Sequence, residues 1–122
     1  MTKIQIKRVY EPEEQSDGFR VLVDRLWPRG IKKENLHYDY WDKEITPSVR
    51  LRQWFHQDQD KNWMEFKHRY ILELSENPEV EHLLKIIKDK EKVTLLYAAR
   101  NTEKNHAVIL QGYLSKQPLV NL

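Results

Sequence analysis

Two short runs of continuous apolar residues constrain the fold of this chain more than any other feature. The first is Val21-Leu22-Val23, within a segment from Phe19 to Leu26, and the second extends from Val93 to Ala99. A strand that alternates apolar and polar residues has one face in water, whereas a strand that is apolar throughout is buried on both faces. The two runs therefore predict a sheet covered on both sides, which is typical of α/β domains.

The remaining segments predict further strands and four helices. Ile4 and Ile6 alternate with polar residues between Lys3 and Tyr10, which indicates a strand with one wet face. A short strand is predicted near Tyr38 to Trp41. One helix is predicted to begin at Thr46-Pro47 with Thr46 as N-cap, and a longer helix is predicted to follow Asp58 and Asp60. A third helix is predicted to begin at Asn77-Pro78, and a last one is predicted to span about 103–116. This order favours a single three-layer α/β domain over residues 1–122, with a small, largely parallel sheet covered by helices.

Composition narrows the class of protein. A length of 122 residues fits one domain, and the absence of cysteine excludes disulfides, thiolate metal sites and cysteine nucleophiles. Lys and Arg number 21 against 19 Asp and Glu, so a dedicated nucleic-acid binder is not expected, although a local basic site is compatible with this balance. No secretory pattern begins the sequence, and no stretch approaches the roughly 20 apolar residues of a spanning helix. We therefore expect a cytoplasmic protein without a membrane partner.

The first candidate functional segment runs from Asp24 to Gly30, with the sequence Asp-Arg-Leu-Trp-Pro-Arg-Gly, directly after an apolar strand. Open α/β sheets place ligands at the carboxyl ends of their strands, so a site is expected here. Arginine offers a rigid fork of donors for carboxylate or phosphate, tryptophan offers a flat face, and the proline and glycine would stiffen and bend the loop. In the structural alternative Asp24 pairs with Arg25, Trp27 fills the core and Arg29 is solvated.

The second candidate segment follows the other apolar strand and includes Tyr97 to Arg100, then Asn105 and His106. There a strand end leads into the N-terminus of a helix, whose unpaired amides and positive dipole end attract anions. Two alanines allow close approach, Arg100 adds charge, and Asn105 and His106 in the first helical turn would face the same pocket. In the structural alternative Thr102 caps the helix, Asn105 is solvated and His106 belongs to an apolar stripe.

A metal site formed by His56, Asp58 and Asp60 ranks lower. Aspartates where one helix ends and the next begins are ordinary capping residues, so we predict no metal site. No nucleophile with a base beside it and no glycine-rich phosphate loop can be recognised. The sequence therefore identifies neither a cofactor nor a reaction.

The chain resembles the YeaO-like branch of a bacterial family of domains of unknown function. The resemblance covers nearly the whole chain up to Leu114 and is carried by Arg20 to Gly30, Pro47-Ser48, Leu51 to Phe55, Trp63 with Phe66, Leu95 to Ala99, and Asn105 to Ala107. It implies an α/β fold and brings no established activity. Other branches of that family have cysteines where this chain has Tyr97 and Asn105, so the resemblance implies a shared pocket from which thiol chemistry is absent.

These residues favour a protein that binds a small anionic or phosphorylated metabolite at strand ends and a helix N-terminus, and they leave open whether it is an enzyme that also transforms the metabolite. The predicted ligand contacts are Arg25, Trp27, Arg29, Tyr97, Arg100 and Asn105, and the predicted acid/base residues are Asp24 and His106. This interpretation requires the two segments to lie side by side. The alternative is a non-catalytic module that binds RNA or a protein through the basic segment Arg25 to Lys33, and a third interpretation is a homo-oligomer that associates through exposed aromatic residues.

Overall fold

The computed structural model describes residues 2–118, which form one parallel sheet and four α-helices. In chain order the elements are β1 (Lys3–Arg8), β2 (Phe19–Leu22), β3 (Tyr40–Trp41), α1 (Val49–Gln57), α2 (Gln59–Ser75), α3 (Pro78–Ile87), β4 (Lys92–Tyr97) and α4 (His106–Ser115). Short 3-10 helices occupy Gln15–Asp17 and Lys33–Asn35. The predicted α/β class with a parallel sheet is confirmed.

The order of the strands in the sheet is β1-β4-β2-β3, and every neighbouring pair is parallel. The last strand of the chain therefore lies in the interior of the sheet, between β1 and β2. Leu96 of β4 is in register with Lys7 on one side and Leu22 on the other. Because parallel strands end at the same edge, the segments that follow β1, β2 and β4 meet at the carboxyl edge of the sheet.

One face of the sheet packs against all four α-helices. Alternate strand residues such as Val21, Val93 and Leu95 join a buried cluster with apolar residues of each helix, including the fully buried Phe66 and Leu110. Successive strand residues point to opposite faces, so burial of both sets accounts for the continuous apolar runs in β2 and β4.

The opposite face is covered by loop segments rather than by α-helices. Leu22 and Leu96 point to this face and pack with Leu36, Trp27 and Trp41, and with other residues of the same layer. We call the stretch from Val23 to Asp39, which contains one 3-10 helix and supplies most of this layer, the covering segment. The third layer of the domain is thus built mainly of loop.

A buried ion-pair cluster supports the start of β2 on this loop-covered face. Asp17 pairs with Lys7 at 2.7 Å and with Arg20, and its carbonyl accepts a hydrogen bond of 2.6 Å from the hydroxyl of Thr94. The pairing holds the pKa of Asp17 below its usual range, against the opposing effect of burial. These bonds satisfy a buried carboxylate that would otherwise destabilise the fold.

Two predicted helix starts are corrected by the structure. Ser48, not Thr46, is the N-cap of α1: its hydroxyl oxygen accepts from the amide of Leu51 at 3.2 Å, whereas the hydroxyl of Thr46 donates to the carbonyl of Lys43. Glu73 of α2 accepts from both the amide and the hydroxyl of Ser48, and this contact fixes the cap. The last helix begins at His106, later than the predicted start near residue 103.

The other helix starts are confirmed. Asp58 caps α2 through a hydrogen bond from the amide of Lys61, and Asn77 caps α3, whose first residue is Pro78.

Within residues 2–118, no helix is both long enough and apolar enough to cross a membrane.

Candidate functional site

A cavity of about 880 Å³ opens at the carboxyl edge of the sheet. It lies between the end of β1, the segments that follow β2 and β4, the start of α4, and one side of α1 and α2. Its charged and imidazole-bearing lining residues are Arg8, Asp24, Arg25, Arg29, Arg52, His56, Arg100, Lys104 and His106. A cavity of this size falls in the range of natural small-molecule sites, about 300–1,000 Å³.

The two segments singled out in the sequence line this one cavity. From the covering segment, Asp24, Arg25, Trp27 and Arg29 reach it, and from the segment after β4, Arg100, Asn105 and His106 reach it. The reason is topological, since β2 and β4 are neighbours in the sheet and both end at its carboxyl edge.

Asp24 and His106 bond directly to each other across the two segments. Nε2 of His106 lies 3.1 Å from Oδ1 of Asp24 and 2.7 Å from the carbonyl oxygen of Val23. A carbonyl can only accept, so Nε2 carries a hydrogen, and Val23 and Asp24 share it. The other carboxylate oxygen of Asp24 accepts from the amide of Ala98 at 2.8 Å. The pair therefore joins the end of β2 to β4 and α4, and Asp24 is not paired with Arg25 among the described residues.

The covering segment is held in place by two indole side chains, its own Trp27 and Trp41 of β3. Nε1 of Trp27 donates to the carbonyl of Ile31 at 2.6 Å, and Nε1 of Trp41 donates to the carbonyl of Asp24 at 2.7 Å. The two indole rings meet edge to face, with centroids 5.5 Å apart. Gly30, with φ of 78°, adopts a conformation that residues with a side chain rarely tolerate. The backbone between Asp24 and Gly30 is thus preorganised before any ligand binds.

The side chains of Asn105 and Tyr97 are not free to contact a ligand in the cavity. Asn105 is 1% exposed; its Oδ1 accepts from the amide of Val108 at 3.0 Å, and its Nδ2 donates to the carbonyl of Asn101 at 2.8 Å. It is the N-cap of α4, the place that the structural alternative gave to Thr102. Its side chain is engaged internally, so a contact with a ligand would fall to its backbone. Tyr97 is buried in the core between the sheet and the helices and does not line the cavity.

Residues 3–120 match a family model described as the inactive DUF488-N3 subclade. The chain belongs to this family. It is 52% identical over 111 residues to the uncharacterized protein YeaO of Escherichia coli (strain K12), an alignment that covers 91% of this chain and 96% of YeaO. Uncharacterized proteins of Mycobacterium bovis and Mycobacterium tuberculosis are each 38% identical over 114 residues, which cover 93% of this chain and 95% of each relative. No solved structure gives a significant match. The resemblance to the YeaO-like branch is confirmed.

In this DUF488-N3 chain the cavity is also lined by positively charged side chains that the sequence analysis did not select. Arg8 at the end of β1 donates from Nε to the carbonyl of Ala99 at 2.9 Å and from Nη2 to that of Ala98 at 3.1 Å. Arg52 comes from α1, and Lys104 pairs with Asp60 at 2.8 Å. Arg8 could have been found from its position at a strand end, had the strand order been known. Arg52 carries no comparable signal, because its side of the cavity is set by how α1 packs. Lys104 lies between the predicted residues Arg100 and Asn105, so its place in the segment after β4 could have marked it.

His56 is the second imidazole of the cavity. Burial, the positive charge of Arg52 and the nearby His106 together lower the pKa of His56 below its ordinary value. Its Nδ1 lies 3.0 Å from the side-chain amide nitrogen of Gln59, which can only donate, so this contact also favours the neutral ring. An anion in the cavity would oppose these effects, because negative charge stabilises the protonated imidazole.

A further cluster of ionisable side chains follows β3. Asp42 is 2% exposed, and its Oδ1 accepts from the amide of Ile45 at 3.1 Å. Its Oδ2 has no hydrogen-bond partner among the described residues, and the carboxyl group of Glu79 acts on it as a neighbouring acid. Burial and the neighbouring Glu79 raise the pKa of Asp42 to about 8. Protonation removes the charge of this buried carboxyl group and so lowers the cost of burying it without a donor at Oδ2.

Metal binding is not indicated at these positions. Within residues 2–118, no three histidine, aspartate or glutamate side chains lie close enough together to hold a metal ion. Asp58 serves as the cap of α2, Asp60 pairs with Lys104, and His56 bonds to Gln59.

Proposed function

We propose that this protein binds a small anionic metabolite, such as a phosphorylated compound, in the cavity at the carboxyl edge of the sheet. The observation that carries the proposal is the charge of the lining, which holds six Lys or Arg side chains and one carboxylate. The whole chain, by contrast, has 21 basic and 19 acidic side chains. A concave surface that concentrates one sign of charge focuses its field and attracts ligands of opposite charge.

Among residues 2–118, Asp24 is the only carboxylate of the lining, and both of its oxygens are already hydrogen-bonded. Asp24 bonds to the amide of Ala98 and to His106 and forms no ion pair with an arginine, so its single negative charge only partly offsets the cationic side chains of the lining. Guanidinium groups bind phosphate and carboxylate through two parallel hydrogen bonds, which adds geometric selectivity to charge. Trp27 contributes an aromatic wall on the same side.

Binding without chemistry is the form of the proposal that we favour. The family is described as an inactive subclade, and the two residues predicted for acid/base work are bonded to each other and to backbone groups. In this form Asp24 and His106 position the covering segment against α4, and the arginines recognise the ligand.

The alternative of an RNA- or protein-binding module uses the basic segment Arg25 to Lys33. Arg25 and Arg29 line the cavity, whereas Lys32 and Lys33 are exposed outside it. The charges of the segment are therefore divided between two surfaces. This division favours a small ligand held by the arginines over an extended partner that follows the whole segment.

The test is a matched pair of substitutions on α1. Arg52 lines the cavity, whereas Arg50 is exposed on the same helix outside it. The ligand panel contains inorganic phosphate, pyrophosphate, citrate and adenosine nucleotides, and binding is followed by indole fluorescence and thermal shift. We expect Arg52→Gln and Arg100→Gln to weaken the binding of the best anion at least about tenfold, with Arg50→Gln at the wild-type level. If the wild-type protein binds none of these anions, or if Arg50→Gln and Arg52→Gln weaken binding equally, the proposal is wrong.

A further inference from the structure

The guanidinium groups of the cavity have very little negative charge to balance them. Arg29, Arg52 and Arg100 have no Asp or Glu oxygen within 4.0 Å among residues 2–118. Arg8 and Arg25 bond to backbone carbonyls, which satisfy N–H groups but leave the positive charge in place. Of the six cations in the lining, Lys104 alone has a carboxylate partner, Asp60.

These five arginines come from four separate parts of the chain. Arg8 ends β1, Arg25 and Arg29 lie in the covering segment, Arg52 is on α1, and Arg100 follows β4. They are therefore held by different elements that line one cavity. A single small anion could contact only some of them and would leave the others repelling one another.

From this arrangement we propose that the ligand carries at least two anionic groups and occupies the cavity with both of them. The inference rests on the proposed function and deepens it, because it specifies a polyanion, of the class of di- and triphosphates, instead of any small anion. A cavity of about 880 Å³ has room for such a ligand. Each additional anionic group would meet a guanidinium that no carboxylate neutralises, so affinity rises with ligand charge.

The test is a charge series at constant ionic strength. Inorganic phosphate, pyrophosphate and tripolyphosphate are titrated into the full-length chain without metal ions, and the dissociation constants are measured by calorimetry and indole fluorescence. We expect the affinity to rise about tenfold or more at each step, as a new charge-assisted hydrogen bond would produce. Arg29→Gln and Arg52→Gln, on different sides of the cavity, should each weaken tripolyphosphate about tenfold, whereas Arg50→Gln should leave it unchanged.

The possible outcomes separate this inference from the proposed function. If phosphate binds as tightly as tripolyphosphate and both depend on Arg52, anion binding stands and the polyanion inference is overturned. If no anion of either panel binds, the proposed function fails first. A third arm uses a ten-nucleotide RNA, because its phosphates present the same chemistry. The RNA would have to displace tripolyphosphate at a concentration below that of the tripolyphosphate itself, and Lys32→Gln would have to weaken RNA binding as much as Arg52→Gln does. In that case the natural ligand is a nucleic acid, and the small-ligand inference is overturned.

Discussion

The buried carboxyl group of Asp42 predicts a specific dependence of stability on pH. The pKa of this group is raised to about 8 in the folded protein, whereas an aspartate in an unfolded chain has a pKa near 3.9. Between these values the folded state holds a proton that the unfolded state has released. The stabilising contribution is therefore complete below about pH 4 and is lost as the pH rises towards and through about 8.

The substitution Asp42→Asn isolates this effect. An asparagine keeps the shape of the protonated carboxyl group: its oxygen can accept from the amide of Ile45, and its side chain stays uncharged at every pH. One proton difference changes the free energy of unfolding by about 1.4 kcal/mol per pH unit. Between pH 5 and pH 7 the folded protein holds nearly one proton more than the unfolded chain. Relative to wild type, the variant should thus gain about 2.5 kcal/mol of stability over these two pH units.

The assay is urea denaturation of both proteins at pH 5, 6, 7 and 8, followed by circular dichroism. Differences between the two chains cancel the titration of all other groups. Asp89→Asn is the control, because the Asp89 side chain is 73% exposed and should give a difference that does not change with pH. A difference for Asp42→Asn that is constant across this range, or that falls as the pH rises, would refute the raised pKa of Asp42.

Three further predictions concern the cavity and its supports. First, a bound anion should raise the lowered pKa of His56. When the pH falls from 7.5 to 5.5, the affinity for tripolyphosphate should therefore increase more in the wild-type protein than in His56→Gln, as measured by calorimetry. Second, Gly30→Ala should destabilise the fold by about 1–2 kcal/mol through its positive φ alone. Gly18→Ala should destabilise it more, because a Cβ at Gly18 also collides with the backbone of the adjacent strand. Thermal denaturation compares the two variants, and equal losses of stability would contradict this account. Third, Asn105→Ala should lower stability by about 1–2 kcal/mol in urea denaturation through loss of the N-cap of α4, and an unchanged stability would mean that the cap contributes nothing.

Much of the architecture could be predicted because local patterns determine it. The continuous apolar runs of β2 and β4 indicated strands buried on both faces, and Asn77-Pro78 marked the start of α3. The predicted cap of α1 was wrong because a distant residue, Glu73, binds Ser48 and decides between two neighbouring hydroxyl side chains. Such a contact depends on tertiary packing and leaves no trace in the local sequence.

The cavity was predictable only in part, for the same reason. Segments that follow buried strands are identifiable in a sequence, so Asp24, Arg25 and Arg100 could be selected as candidates. Their meeting depends on β4 pairing with β2, which is a long-range property of the sheet. Arg52 was missed because its position on α1 resembles that of any solvent-exposed arginine until the packing of α1 against the sheet edge is known.

The use of a loop as the third layer has a consequence for how these proteins diversify. The covering segment shields one side of the sheet from water and also presents Arg25 and Arg29 to the cavity. Different side chains serve these two roles: the indoles of Trp27 and of Trp41 in β3 hold the backbone, whereas Arg25 and Arg29 line the cavity. Under the proposed function, substitution of these two arginines would change ligand selectivity at little cost in stability. Loss of either indole would instead expose the apolar residues on the loop-covered face of the sheet, which would promote aggregation.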